Sequence, residues 1–377
     1  MKTTVRFLAA MLLAVLLFSA CGGASSSSML TTSPGGTLPD TTGTRLAFIA
    51  PVEEQDAPLV QAVWNAIALF AGENGVSHGF YKMPAGEEES TLQLAEKNGA
   101  ELIVLAGNGM ANLLSAAPLR YPNLRFLLVD DTVTQPILLT NSSLLHFLPE
   151  QAGWLAGYAA VCETQGGRLA FFEAEDEASR RYALGFCFGA EAAAEALDLA
   201  AKSVWVSPVF VPADGNALPA ALERIAAGCD LIFTNYAPAQ EDVLYEATLR
   251  GTSAIAAGYD YVPAQPAALS AAQCSPRGAL YALLAAWRDS VFPGGRILAG
   301  DISNEGARLL MNAARFSTFT AEQYDAARAY FIDNGVAGRM SAYIQGGHTT
   351  SPLELDFPRL TFGTQPQSSV SSPDSRG

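Results

Sequence analysis

Leu102-Ile103-Val104-Leu105-Ala106 is an unbroken apolar run that stops at Gly107-Asn108-Gly109. A short continuous run bounded by turn residues reads as a strand buried on both faces. The same form recurs at residues 45–50, 126–129, 169–172, 231–234 and 254–257, with longer helical patterns between the runs. That alternation predicts an α/β fold of parallel strands joined by crossover helices. Most runs end on polar or glycine residues: Gly107-Asn108-Gly109, Asp130-Asp131, Glu173, Asn235-Tyr236 and Gly258-Tyr259-Asp260. Open α/β sheets bind ligands beyond the carboxyl ends of their strands, so a site is expected among these residues.

Helices are expected at 58–71, where Val60, Val63, Trp64, Ile67 and Phe70 repeat at helical spacing, and at 152–161, 218–227, 241–250, 277–290 and 321–334. Asp56 stands just before the first of these, and Pro58 suits its first turn, so Asp56 reads most simply as a cap. The roughly 320 residues of globular pattern exceed what one core usually spans, so two lobes are expected. No internal repeat is evident in the 377 residues. The segments before and after the globular part are rich in Ser, Thr, Gly and Pro, the composition of a solvated tether and tail.

The chain carries 37 acidic and 22 basic residues, a net charge of −15, without a basic cluster to neutralise phosphates. Nucleic acid is therefore not an expected partner. Beyond Cys21 there are Cys162, Cys187, Cys229 and Cys274, none closely paired, which gives no zinc or redox motif. Disulfides and buried free thiols both remain open. At the start, Lys2 and Arg6 precede an apolar stretch over 7–18 and then Phe18-Ser19-Ala20-Cys21. This has the build of an export signal, and its end is similar to a bacterial lipobox whose cysteine receives a diacylglycerol. A spanning helix needs roughly 20 apolar residues, more than this run holds. An ordinary secretory signal is the other reading.

Catalytic patterns are missing from the sequence. His78, His146 and His348 lie in unrelated segments, and no H-E-x-x-H, G-x-S-x-G or P-loop occurs. Gly107-Asn108-Gly109 lacks the third glycine of a dinucleotide fingerprint, and the adjacent carboxylates Asp130-Asp131 and Glu87-Glu88-Glu89 read as solvated charge. No enzyme, cofactor or metal site is expected.

Several blocks, in order, resemble the basic membrane protein family: Tyr121-Pro122-Asn123-Leu124-Arg125-Phe126, Glu150-Gln151-Ala152-Gly153-Trp154-Leu155-Ala156-Gly157, Gly185-Phe186 with Gly189-Ala190, Ala227-Gly228-Cys229-Asp230-Leu231-Ile232-Phe233, and Gly258-Tyr259-Asp260. These are lipoproteins similar to purine-nucleoside receptors of ABC transporters. The resemblance implies a type I periplasmic-binding-protein fold, with two doubly wound lobes and a three-segment hinge near 146–149, 261–266 and 292–297. The expected division is a lipoprotein signal over 1–21, a tether over 22–43, one lobe from 44–147 with 262–292, a second from 148–261 with 293–363, and a tail over 364–377.

The resemblance also implies a ribose-binding role for Asp260, where a carboxylate accepts from two hydroxyls. Asp56 matches a second family position, but Leu59 and Val60 replace the aromatic and amide that follow it. Trp64 and Tyr236 are the aromatic residues at hand to replace that platform, although Trp64 reads more simply as a core residue. Gln273 stands where the family has lysine, and Asn235-Tyr236-Ala237-Pro238 where it has a glycine-rich turn. The expected ligand-binding set is thus Asp260, Asp56, Gln273, Asn235, Tyr236, Asn108 and Trp64, with lipidation at Cys21. The function implied is a membrane-anchored, extracytoplasmic, monomeric receptor that closes on a small molecule, a nucleoside favoured, and delivers it to an ABC permease. A sensory lipoprotein of the same fold is the alternative.

Overall fold

The computed structural model describes residues 29–30, 43–129, 137–258, 263–345 and 348–363. Cys21, Asp130-Asp131, Asp260 and the tail lie outside them. The chain opens with a two-residue strand β1 (Met29–Leu30) and continues through β2 (Leu46–Pro51), α1 (Pro58–Asn74), β3 (His78–Met83), α2 (Glu88–Lys97), β4 (Leu102–Ala106), α3 (Met110–Arg120), β5 (Arg125–Val129) and β6 (Ser142–Phe147). The strands pair in parallel in the order β1-β3-β2-β4-β5-β6, and a later strand closes the far edge. Every residue of β4 is buried, as its apolar run requires. Met29–Leu30 fall within the predicted tether, yet their backbone pairs with Phe80 and Tyr81. The exposed edge of β3 offers unpaired backbone groups, which an extended segment satisfies whatever its side chains.

A second sheet follows the same winding. After α4 (Pro149–Glu163) come β7 (Arg168–Glu173), α5 (Glu177–Ala196), β8 (Val204–Phe210), α6 (Leu218–Ala226), β9 (Leu231–Thr234), α7 (Gln240–Arg250), β10 (Ser253–Ala257) and β11 (Ala268–Cys274). The chain then returns to the first sheet with α8 (Pro276–Arg288), packed on α1, and β12 (Arg296–Gly300), parallel to β6. It ends in the second with β13 (Ala307–Leu309), α9 (Ala321–Asp333), α10 (Val336–Ser341), the hairpin β14 (Ile344–Gln345) and β15 (His348–Thr349), and β16 (Leu360–Phe362). The second sheet runs β13-β11-β10-β9-β7-β8-β16, and only β13 is antiparallel. Thus β2 and β7 play the same part: the next strand in the chain lies to one side of each and the three after it to the other.

The join between α4 and α5 explains two of the quoted blocks. A Cβ at Gly153, Gly157, Gly185 or Gly189 would fall 1.8–2.3 Å from a carbonyl oxygen of the facing helix. Only glycine lets the two backbones meet this closely, so the four glycines are packing residues. Asp230, in another block, accepts from Thr164 Oγ1 at 2.7 and 2.8 Å, Gln165 N at 3.1 Å and Gly166 N at 2.7 Å, closing the turn into β7. Cys162, Cys187, Cys229 and Cys274 are free thiols, and burial pushes Cys229 up to about 12 and Cys162 to about 11.

Candidate functional site

Three short connections join the sheets, and each leaves the carboxyl end of a strand. Leu148 alone separates β6 from α4, Ser275 alone separates β11 from α8, and residues 301–306 lead from β12 to β13. The carboxyl edges of both sheets therefore border one hinge, which is where a shared cleft belongs. Leu148 N donates to Gly300 O at 3.2 Å and Ser275 N to Gly306 O at 2.8 Å, while Gln151 Oε1 accepts from Ile302 N at 3.0 Å. A Cβ on Gly306 would sit 2.4 Å from Gly300 Cα, so the third connection is packed backbone to backbone. The second and third crossings differ from the expected 261–266 and 292–297, and the lobe boundaries move with them. Residues 263–274 finish the second lobe because β11 pairs with β10 and β13, and β12 belongs to the first. The small residues of Ala268-Leu269-Ser270-Ala271-Ala272-Gln273-Cys274 hide this strand from a hydrophobic reading.

In each lobe the loops after the first and third winding strands are tied together. In the first, Glu54 accepts from Asn108 N at 2.9 Å and from Asn108 Nδ2. Gly107, at φ +111, passes so near that a Cβ would lie 2.7 Å from Glu54 Oε2. In the second, Asn235 Oδ1 accepts from Phe172 N at 2.7 Å, and its Nδ2 donates to Phe172 O at 2.9 Å and Ser179 O at 3.0 Å. Ser179 Oγ donates to Asn235 O at 2.6 Å. Asn235 is buried with both ends of its amide engaged, so its part is to hold the loops rather than to meet a ligand. Asn108 is exposed, but its amide is likewise turned to Glu54.

The other expected residues divide in the same way. Trp64 is a core residue of the first lobe, with its ring 6.1 Å from Phe48, 5.4 Å from Phe80 and 5.4 Å from His78. Its helical spacing put it on the sheet-facing stripe of α1, which excludes it from the strand ends. Asp56 is exposed and does not cap, because Ala57 occupies the N-cap without a side-chain bond. Its carboxylate stands before the first turn of α1, at a strand end of the first lobe. Tyr236 is half-buried against Phe172, ring centroids 6.1 Å apart, at a strand end of the second. Gln273 is fully buried at the carboxyl end of β11, directly opposite Arg308 on antiparallel β13. Asp260 and Cys21 lie outside the described residues.

Sequence reasoning missed the charged groups at the hinge. Arg308, half-buried, is brought beside Gln273, 35 positions earlier in sequence, only by strand pairing. Arg181 of α5 holds Glu150 of α4 through contacts of 2.6 and 2.8 Å, both residues buried, and its Nη1 lies 3.2 Å from Nε2 of His146 at the end of β6. Burial pushes the Glu150 carboxyl up, and Arg181 opposes this. Arg181 thus links the second lobe to the first beside the crossing at Leu148. Among the described residues no His, Cys, Asp or Glu cluster could hold a metal, and no helix is long and apolar enough to cross a membrane.

The fold is shared with an ABC transporter solute-binding protein from Conexibacter woesei DSM 14684, at 15% identity, TM-score 0.59, covering 78% of this chain and 97% of that one. A solute-binding protein from Aeropyrum pernix K1 matches at 16% identity and TM-score 0.51, over 79% and 89%. A transcriptional activator of the comK gene from Bacillus halodurans matches at 16% and 0.57, over 81% and 99%. At such identities the likeness is one of fold, the type I periplasmic-binding-protein-like arrangement. No curated protein matches the chain. Residues 44–315, nearly all of the first lobe and most of the second, match the Bmp family of PnrA-like ABC transporter substrate-binding proteins, and this chain is a member of that family, a non-enzymatic substrate-binding protein.

Proposed function

We propose that this protein is a lipid-anchored receptor on the extracytoplasmic face of the membrane, which encloses a nucleoside or similar small polar metabolite and presents it to an ABC permease. The observation that carries the reading is the hinge: three short crossings set the carboxyl edges of two equivalently wound sheets beside each other. A ligand touching both edges stabilises the closed arrangement by its differential affinity for it. Polar strand-end residues from both lobes support a polar solute: Asp56 from the first and Tyr236 from the second. Asp260 is assigned the hydroxyl-accepting role, since a carboxylate binds a vicinal diol through two charge-assisted hydrogen bonds. Cys21 is assigned the diacylglycerol, whose two chains are enough for stable anchoring.

Calorimetric titration with purine and pyrimidine nucleosides tests the ligand. Asp260→Ala is expected to weaken binding at least about tenfold, the loss of hydrogen bonds to a charged acceptor. Undiminished affinity would remove Asp260 from the site, and a panel in which no nucleoside binds would replace the nucleoside by another polar metabolite. The anchor is checked separately: Cys21→Ser should abolish incorporation of labelled fatty acid and release the protein from the membrane fraction. Unchanged labelling would place the lipid elsewhere.

A further inference from the structure

A cavity of about 350 Å3 lies in the second lobe between α5, α9, α10 and the segment before β16. Most of its wall comes from residues after 315, beyond the family match, so it is particular to the C-terminal part of this chain. Two aromatic groups line it. Trp154 and Tyr330 stand nearly parallel, 6.2 Å apart at 11°, while Phe188 packs on Tyr343 at 5.8 Å and on Phe357 at 5.2 Å. Trp154 is fully buried, so Phe188, Tyr330 and Tyr343 supply the accessible ring faces.

The charged lining is mainly acidic: Glu191, Glu195, Glu354 and Asp356 against Arg339. Asp356 is paired with Lys202 at 3.0 Å, and Glu191 accepts the backbone N–H of Arg359 at 2.9 Å. Glu195 and Glu354 remain exposed at the cavity against the single guanidinium. Burial pushes the Glu191 carboxyl up, Arg359 opposes this, and neighbouring Glu195 adds to the rise. Aromatic faces attract cations through the ring quadrupole, and carboxylates reinforce this over any neutral or anionic occupant.

We propose that this cavity is a second ligand site, distinct from the cleft at the hinge, for a small organic cation. The cationic head lies against the rings of Phe188, Tyr330 and Tyr343 with Glu195 and Glu354 near it. A quaternary ammonium of the choline type is the simplest such molecule.

The test is calorimetric titration of the full chain with choline and with its uncharged isostere 3,3-dimethylbutan-1-ol. Choline should saturate one site, with the neutral alcohol at least about tenfold weaker. Tyr343→Leu and Glu195→Gln, both at exposed positions, should each weaken choline about three- to tenfold while circular dichroism stays unchanged. Equal binding of the two probes, no saturation by choline, or choline binding indifferent to both substitutions would each overturn the proposal. Nucleoside titration of the same variants separates this site from the cleft, since its outcome depends on Asp260 and not on Tyr343.

Discussion

Gly157→Ala is expected to lower the free energy of unfolding by more than about 3 kcal/mol, at the upper end of what overpacking costs. The new Cβ would stand 1.9 Å from Phe186 O and 2.7 Å from its carbonyl carbon. Backbone cannot give way as the tip of a flexible side chain does, so α4 and α5 must separate. That separation also opens the contacts around fully buried Trp154, Phe186 and Ala190. Gly72→Ala is the internal control. It lies within α1 with nothing inside 4 Å of its Cβ position, so helix propensity alone should raise stability by about 0.5–1 kcal/mol. Urea denaturation of both variants measures the difference, and a Gly157→Ala protein as stable as the Gly72→Ala one would refute the close-packing account.

Glu150→Ala is expected to cost about 3–5 kcal/mol, because it strands the Arg181 guanidinium in a dry position. Both side chains are less than a tenth exposed, and their separation is 2.6 Å. The pair is not itself a large source of stability, since desolvation of two charges offsets most of their attraction. The raised Glu150 carboxyl is the mark of that desolvation. Two consequences follow from the imbalance. Glu150→Gln, which keeps an acceptor for Arg181, should cost clearly less than Glu150→Ala. The double change Glu150→Met with Arg181→Met should be more stable than Glu150→Ala alone. Thermal unfolding of the three proteins decides the matter, and a double variant less stable than the single would show that the ion pair is worth more than this.

The strands buried on both faces were legible because their burial leaves an unmistakable apolar run. Leu102–Ala106 and Leu231–Thr234 were read to the residue. Others escaped for opposite reasons. His78–Met83 mixes His78, Tyr81 and Lys82 among its apolar residues, so no continuous apolar run marks it, and Ala268–Cys274 is built from small side chains that a strand and a loop use equally. The missed strand Ala268–Cys274 then displaced the second hinge crossing. Site residues were less legible than strands. Asn235, Tyr236 and Asn108 do follow the carboxyl ends of strands, yet that position could not say whether an amide faces a ligand or a neighbouring loop. Helical periodicity alone favours the core for Trp64, and three neighbouring rings enclose it there.

By itself the sequence determined the fold class and the family, because apolar runs, helical periodicity and the ordered family blocks are local properties written residue by residue. The tertiary structure alone decided that Gly153, Gly157, Gly185 and Gly189 face one another, and that Arg181 joins Glu150 and His146. It also set Arg308 against Gln273 and closed the aromatic cavity around Trp154 with residues from the chain's last fifty. Each of these depends on contacts between segments far apart in sequence, where the deciding quantity is the space and charge left by other elements rather than the residue's own preference.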